Sequence, residues 1–197
     1  MEEDRKNKLL DPESIYSGCI ETFTGRLINP LRPDESEVDI EDIAHSLSMQ
    51  CRFNGHCARF YSVAEHSVHT AKLAEMLFPK DPDIAKFALL HDASEAYLCD
   101  IPRPLKSSFI NYLKWEKLLS DIIFRKFLKR VPLQGGDEKI LKVDNIMLAT
   151  ESFELSASKG EMWGVPEKRR SDISLFCWSP DVAEKQFRKL AAKYNFC

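Results

Sequence analysis

Residues 88–96 read Ala88-Leu89-Leu90-His91-Asp92-Ala93-Ser94-Glu95-Ala96, and this short segment combines an imidazole, two carboxylates and apolar neighbours. In a helix, consecutive residues lie about 100° apart, so His91 and Asp92 can converge on one ion. Glu95 would lie one turn beyond His91 on nearly the same face. The segment therefore predicts a metal site in which ligands and a base occur together.

The pattern on either side of this segment is helical. Apolar residues at helical spacing predict helices near 39–48, 62–78, 83–98, 109–129, 137–155 and 181–194. The boundaries contain capping or breaking residues, namely Ser62, Pro79, Pro82, Pro102, Pro104, Gly135-Gly136-Asp137 and Trp178-Ser179-Pro180-Asp181. One β-hairpin is expected between Ile20 and Ile28, with its turn at Gly25. We expect a mainly α fold with a small N-terminal hairpin and an irregular surface segment at about 156–179.

Length and composition favour a single domain. The chain has 197 residues, of which 44% are hydrophobic, enough for one core and too few for two full domains. Residues 1–14 are charged and aperiodic, and are predicted to be a mobile leader before a domain at 15–197.

Charge and cysteine usage limit the classes of partner and location. The formal net charge of −3 argues against a general nucleic-acid binder and favours a small partner. The six cysteines show no repeated CxxC pattern, which favours a reducing compartment. The sequence shows neither a signal peptide nor a membrane-spanning run, so we expect a cytoplasmic protein without a membrane partner.

Two further residues are candidates to complete the metal site. In the helix from Ser62, His66 lies at the edge of the inward face, whereas His69 is expected to point outward beside Glu65. A core histidine bonded to a backbone carbonyl is the alternative for His66. Asp144 interrupts an apolar stripe formed by Ile140, Leu141, Met147 and Leu148. Its buried charge needs either a cation or a salt bridge to Arg or Lys.

The order His66, His91-Asp92, Asp144 resembles the HD-domain phosphohydrolase superfamily, an α-helical core that binds its metal through two histidines and two aspartates. Longer blocks resemble the bacterial 5′-deoxynucleotidases and the phage dATP triphosphohydrolases. These blocks are residues 39–45, 51–53, 62–67 and 91–106, and the resemblance runs from about Ile20 to Leu190. It implies an HD-type helical bundle and a metal-dependent enzyme.

The resemblance implies that His66, His91, Asp92 and Asp144 ligate a divalent cation. Mn, Fe, Co, Ni or Zn would suit these ligands, and the donor set does not choose between them. By the same resemblance, Glu95 is the catalytic glutamate that positions or deprotonates the attacking water. The alternative role for Glu95 is to orient His91.

The same family match implies the substrate contacts. Arg52 would neutralise the phosphate oxygens and is a candidate catalytic residue. Lys106 is a second candidate for phosphate binding, and the alternative is that it is a solvated surface lysine. Phe53 would pack on the nucleoside, or serve as an ordinary core residue. Asp100 would meet the sugar 3′-hydroxyl. Pro104 would lie at the adenine pocket, and the alternative is that it only shapes the loop. His56 and Arg103 are further candidates to contact phosphate.

We therefore expect a cytoplasmic hydrolase that releases phosphate from dNMP or triphosphate from dNTP, with dATP favoured. Two other functions stay open: a cyclic-nucleotide or oligonucleotide phosphodiesterase, and a metal-containing nucleotide sensor without turnover. The resemblance also implies a homo-oligomer.

Overall fold

A computed structural model describes residues 18–132 and 136–196, and the fold is mainly helical. The leader predicted at residues 1–14 lies outside the described residues. The helices are α1 (Ile40–Met49), α2 (Val63–Leu77), α3 (Pro82–Leu90), α4 (Glu95–Leu98), α5 (Arg103–Lys106), α6 (Ile110–Leu128), α7 (Gly136–Leu155) and α8 (Pro180–Lys193). A tight turn with left-handed backbone angles at Phe53 and Asn54 covers Arg52–Gly55. The predicted fold class is confirmed.

The predicted hairpin is present and is attached to the first helix. Strands β1 (Ile20–Glu21) and β2 (Leu27–Ile28) pair antiparallel, with Ile20 opposite Ile28. Gly25 has a φ of +81° in the turn, a conformation that glycine adopts without steric cost. The Asp42 carboxylate of α1 accepts hydrogen bonds from the Thr24 amide at 2.7 Å and the Thr24 hydroxyl at 3.0 Å. The hairpin is therefore fixed to α1.

Helix α2 lies at the centre of the bundle and packs against α1, α3, α7 and α8. Its inner surface consists of small fully buried side chains, among them Ala64, Val68, Ala71 and Ala74. Small side chains let neighbouring helices approach closely. Ser62 caps the helix as predicted, because its hydroxyl accepts a hydrogen bond from the Glu65 amide at 3.1 Å. The central position of α2 brings His66 into the middle of the fold.

The predicted helix at 83–98 is wrong as a single element. Helix α3 ends at Leu90 and α4 begins at Glu95, and a turn at residues 91–94 separates them. In the turn the Ala93 amide bonds the Leu90 carbonyl and the Glu95 amide bonds the Asp92 carbonyl, so the chain coils more tightly than an α-helix. His91 and Asp92 therefore extend from a turn. The short helix α5 was also not predicted, and it buries none of its side chains.

The outward position predicted for His69 is wrong. His69 is buried, and its ring stacks against Phe176 and Trp178 at centroid distances of 6.0 and 5.4 Å. Glu65, on the same face, is fully buried. Its carboxylate accepts hydrogen bonds from the amides of residues 176, 177 and 178 at 2.6–2.9 Å, which compensate its burial. The segment at 156–179 is irregular, as predicted, but its end covers α2.

The apolar stripe predicted on α7 needs one correction. Leu141 is 53% exposed, whereas Val143 and Met147 are fully buried and Ile140 is nearly so. The buried face of α7 is therefore rotated from the predicted one.

In the part of the chain that the structure describes, no helix is both long and apolar enough to cross a membrane.

Candidate metal and nucleotide site

Three segments bring four candidate metal ligands together at the centre of the bundle. His66 comes from α2, His91 and Asp92 from the turn after α3, and Asp144 from α7. The Nε2 atom of His66 lies 3.2 Å from Nε2 of His91, 3.6 Å from Oδ2 of Asp92 and 3.3 Å from Oδ1 of Asp144. The His91 Nε2 atom lies 3.2 Å from Asp92 Oδ2 and 3.9 Å from Asp144 Oδ1.

The ligand atoms of His66, His91 and Asp92 lie 3.2–3.6 Å apart, which suits a shared metal ion. Asp144 lies 3.3 Å from His66 but 3.9 Å from His91, and it is not part of that group. Ligand atoms at about 2.0–2.2 Å from an ion at tetrahedral or octahedral angles are roughly 3–3.5 Å apart. His66, His91 and Asp92 form a group that could hold a metal ion, and it is the one such group of three or more ligand residues within residues 18–132 and 136–196. Two imidazoles and one or two carboxylates are a donor set that divalent transition metals prefer.

Both histidine rings are held in the orientation that a ligand needs. The Nδ1 atom of His91 donates to the Ala88 carbonyl at 2.8 Å, and Nδ1 of His66 donates to Oε1 of Glu151 at 2.6 Å. A donor at Nδ1 leaves the lone pair of Nε2 for the cluster. His66 therefore has a carboxylate partner instead of the backbone carbonyl considered from the sequence, and His91 is oriented by Ala88 instead of Glu95.

Opposite charges in the cluster shift the pKa values of its members. Burial and Arg52 act to lower the pKa of His66, but Glu151 and Asp144 outweigh them and raise it. Burial acts to raise the pKa of Asp144, but hydrogen bonds with His66 and His91 hold it well below its usual range. The cluster thus keeps its carboxylates ionised, which is the form that binds a cation. The pKa values of His66 and His91 are both raised, so metal binding would release a proton from each protonated ring.

Glu95 lies next to the cluster and is nearly fully buried. Its Oε1 atom accepts a hydrogen bond from Nζ of Lys106 at 3.0 Å, and Lys106 is also held by Glu116 of α6 at 2.5 Å. Within the described ranges its Oε2 atom is buried without a hydrogen-bond partner. Burial raises the pKa of Glu95 well above its usual value, and the charges of Asp92 and Asp100 add to the effect. Glu95 therefore has a free oxygen with increased proton affinity.

Arg52 provides a buried positive charge beside the candidate ligands. Its Nη1 atom lies 3.4 Å from Oδ2 of Asp92, and its Nε atom lies 3.2 Å from Oε2 of Glu151 as an ion pair without hydrogen-bond alignment. The next two residues, Phe53 and Asn54, have left-handed backbone angles with φ of 57° and 55°. Such angles are uncommon for residues other than glycine and cluster at functional sites. The contacts with Asp92 and Glu151 fix the direction of the Arg52 guanidinium.

Phe53 is half-buried on the other side of this turn. The Arg52 guanidinium lies 5.2 Å from the centre of the Phe53 ring, and the half-exposed Trp163 contacts that ring edge-on at 5.2 Å. Trp163 was not among the predicted site residues. An aromatic pair therefore lies directly beside the buried arginine.

The other predicted substrate residues divide into two groups. The Asp100 amide donates to Gln50 at 3.0 Å. Asp100 is close enough to the cluster to feel its charges: burial and the charge of Asp92 raise the pKa of Asp100, although Arg52 acts to lower it. Arg103 is bound to Oδ2 of Asp144 at 2.9 Å and to Asn145 at 3.0 Å, so the salt bridge considered for Asp144 is present. His56 and Pro104 are exposed, and the side chain of His56 has no hydrogen bond or ion pair within the described segments.

Sequence analysis missed Glu151, the most enclosed carboxylate of the site. It lies seven residues after Asp144, which is two helical turns along the same face of α7. That spacing was the available signal. Tyr61 was also missed, and its hydroxyl donates to Oε1 of Glu151 at 3.0 Å.

Comparison with known proteins adds two relatives. No family model matches the sequence. The uncharacterized protein YfdR of Escherichia coli is 40% identical over 148 residues, covering 75% of this chain and 78% of YfdR. An uncharacterized protein of Rhodobacter capsulatus is 37% identical over 74% of this chain and 79% of its own length. At this identity and coverage, the chain belongs to the same protein family as YfdR.

Proposed function

We propose that this chain is an HD-type, metal-dependent phosphohydrolase that acts on nucleotides and prefers deoxyribonucleotides. The observation that supports the proposal is the group formed by His66, His91 and Asp92, whose ligand atoms are spaced for one ion, with Asp144 3.3 Å from His66. The order of these residues and the blocks around them resemble HD enzymes.

The four residues would hold Mn, Fe, Co, Ni or Zn. When bound, such an ion supplies a Lewis acid that polarises phosphorus and makes a water molecule more acidic. The two aspartates match the charge of a divalent cation, and the fixed histidine rings reduce the reorganisation needed to bind it.

Glu95 is the residue that we assign to positioning and deprotonating water. Its free Oε2 atom can accept a proton, and its raised pKa makes it a stronger base than an exposed glutamate. Lys106 binds Oε1 and thereby fixes the direction of the carboxylate.

Arg52, Lys106 and Arg103 are the cations that we assign to the phosphate oxygens, and His56 stays a candidate phosphate contact. Arg52 is the strongest of these assignments, because it is buried beside Asp92 and its charge is permanent. Asp100 would accept a hydrogen bond from the sugar 3′-hydroxyl. Phe53 and Pro104 would contact the base, and dATP is the substrate we favour.

A substrate panel tests the proposal directly. Purified protein with Mn²⁺ or Co²⁺ should release phosphate from dNMPs or triphosphate from dNTPs, and should process deoxyribonucleotides faster than NTPs. Asp92→Asn protein, prepared and assayed identically, should be inactive. Release of neither product from any substrate would overturn the proposal.

The same assay separates the alternatives. A cyclic-nucleotide and oligonucleotide panel should give no product, because the described ranges contain one candidate metal group and a bridged pair of ions needs more ligands. A nucleotide sensor would bind nucleotide without releasing product.

We also propose a cytoplasmic location, in keeping with the free thiols of Cys19, Cys51, Cys57, Cys99 and Cys177. A homo-oligomer stays a prediction.

A further inference from the structure

Glu151 is the carboxylate behind the candidate metal ligands. It is fully buried, and its two oxygens contact side chains from two other segments. Oε1 accepts hydrogen bonds from Nδ1 of His66 at 2.6 Å and from the Tyr61 hydroxyl at 3.0 Å, while Oε2 lies 3.2 Å from Nε of Arg52. Glu151 is therefore shared between a candidate metal ligand and a candidate phosphate ligand.

A buried carboxylate is costly unless charges or hydrogen bonds compensate it. Here Arg52 supplies the opposite charge and His66 supplies the shortest hydrogen bond. An apolar residue at this position would avoid the cost of a buried charge, so packing does not explain Glu151. Its specific effect is on the direction and the protonation pattern of the His66 ring.

The tautomer of His66 decides whether the ring can bind a metal. A carboxylate has only acceptor atoms, so a neutral His66 ring must carry its proton on Nδ1 to bond with Glu151. The lone pair is then on Nε2, the atom that lies 3.2 Å from Nε2 of His91 and 3.3 Å from Oδ1 of Asp144. The opposite tautomer would present a proton to the ion and could not ligate it.

We propose that Glu151 is a positioning residue that holds His66 in the metal-binding tautomer, with Arg52 as its counter-charge. The inference rests on the proposed metal site and adds a residue that the sequence did not reveal. Glu151 acts through His66 and does not contact the ion.

The variant Glu151→Gln tests the inference. It keeps the shape of the side chain but removes the charge, and its amide can donate to Nδ1 and so favour the wrong tautomer. We expect the affinity for Mn²⁺, measured by calorimetric titration, to fall about 10–100-fold, the usual effect of losing such a partner. Circular dichroism and thermal unfolding of the metal-free protein would show whether the variant is folded.

Two further variants separate positioning from general structural support. Glu151→Asp keeps an acceptor-only carboxylate and should recover part of the lost Mn²⁺ affinity. Asp42→Asn neutralises another buried carboxylate, which binds the hairpin, and should leave Mn²⁺ affinity unchanged. If Glu151→Gln is unfolded, Glu151→Met, which also removes the acceptor for Nδ1 at similar side-chain length, takes its place: folded Glu151→Met protein with wild-type Mn²⁺ affinity contradicts the inference.

The result is independent of turnover. Folded Glu151→Gln protein that binds Mn²⁺ as tightly as the wild type overturns the inference, even when the wild type hydrolyses nucleotides. Wild-type protein that binds Mn²⁺ but hydrolyses no nucleotide overturns the proposed function and leaves the role of Glu151 intact. Wild-type protein that binds no Mn²⁺ overturns both.

Discussion

Individual carboxylates in this protein differ in pKa, because their burial and their partners differ. Asp92 and Asp144 meet two histidines and stay ionised, whereas Glu95 meets one lysine and two nearby negative charges, and has a raised pKa. A carboxylate of the first kind suits a cation, and one of the second kind suits proton transfer. These environments support different roles for neighbouring residues.

The proposed role of Glu95 leads to a prediction about turnover. Glu95→Gln removes the proton acceptor but keeps the size of the side chain, so kcat should fall about 10²–10⁴-fold. The content of bound Mn²⁺, measured by elemental analysis, should stay at the wild-type value because Glu95 is not among the four ligands. Asp42→Asn, the control used for Glu151, should keep wild-type kcat. Unchanged kcat in Glu95→Gln would remove Glu95 from the mechanism.

The extent to which the sequence predicts the site depends on the residue type. His66, His91, Asp92 and Asp144 could be predicted because polar groups interrupt apolar helical patterns in an order typical of HD enzymes, and they do lie together. For Glu151 the spacing of seven residues from Asp144 places it on the same face of α7, but its partners Tyr61 and His66 are 90 and 85 residues away in sequence, so its role could not be predicted from α7 alone. Contacts between distant segments decide that role.

At the scale of elements, periodicity predicts where helices occur and fails where other segments cover them. The bounds of α1, α2, α6, α7 and α8 agree with the predicted ranges to within one or two residues. The break at His91 and the burial of His69 were missed. In the first case the His91 side chain bonds the Ala88 carbonyl, and in the second the chain near Phe176 covers α2.

The buried Glu65 carboxylate gives a prediction about the segment that covers α2. Glu65→Ala would leave three backbone amides without their acceptor, and the free energy of unfolding in urea should fall by about 3 kcal/mol. Trypsin should cleave faster after Lys168, Arg169 and Arg170 in native conditions. Glu65→Gln keeps one acceptor oxygen and should lie between the two. Wild-type cleavage rates in Glu65→Ala would show that Glu65 does not hold the segment.

At the scale of the whole molecule, the C-terminal end of α8 is joined to α2 by an ion pair. Nζ of Lys193 and the Tyr194 hydroxyl donate to Oε1 of Glu75 at 2.5 and 2.8 Å. Burial acts to raise the pKa of Glu75, but these hydrogen bonds and the charge of Lys193 lower it below the ordinary value of 4.5. The contact therefore links folding to pH.

The sign of the Glu75 effect follows from the lowered pKa. A carboxylate with a lower pKa in the folded state stabilises the protein above its unfolded pKa of about 4.5, and this contribution is lost as pH falls through the folded pKa. Glu75→Gln should therefore be less stable than wild type near pH 7, and the difference should shrink in acid. Urea unfolding of both proteins across this range measures it, with exposed Glu161→Gln as control. A difference that does not vary with pH would contradict the assignment.

Metal binding should stabilise the entire bundle, because the proposed ligands come from α2, α7 and the turn after α3. Mn²⁺ at about 100 times its Kd should raise the free energy of unfolding by about 2.7 kcal/mol and increase the Tm. Asp92→Asn should lose most of this increase, whereas Asp121→Asn on α6 should keep it. An equal rise in Tm for all three proteins would show that Mn²⁺ binds elsewhere.

Lys106 connects the proposed base to α6, because it contacts Glu95 and Glu116 together. Helix α5 carries Lys106, whose side chain is 19% exposed, while the other three side chains of the helix are exposed. Glu116 is therefore a position, away from the four proposed ligands, at which substitutions could alter turnover. Substitutions at Glu116 would adjust the basicity of Glu95 in small steps without disturbing the ligands.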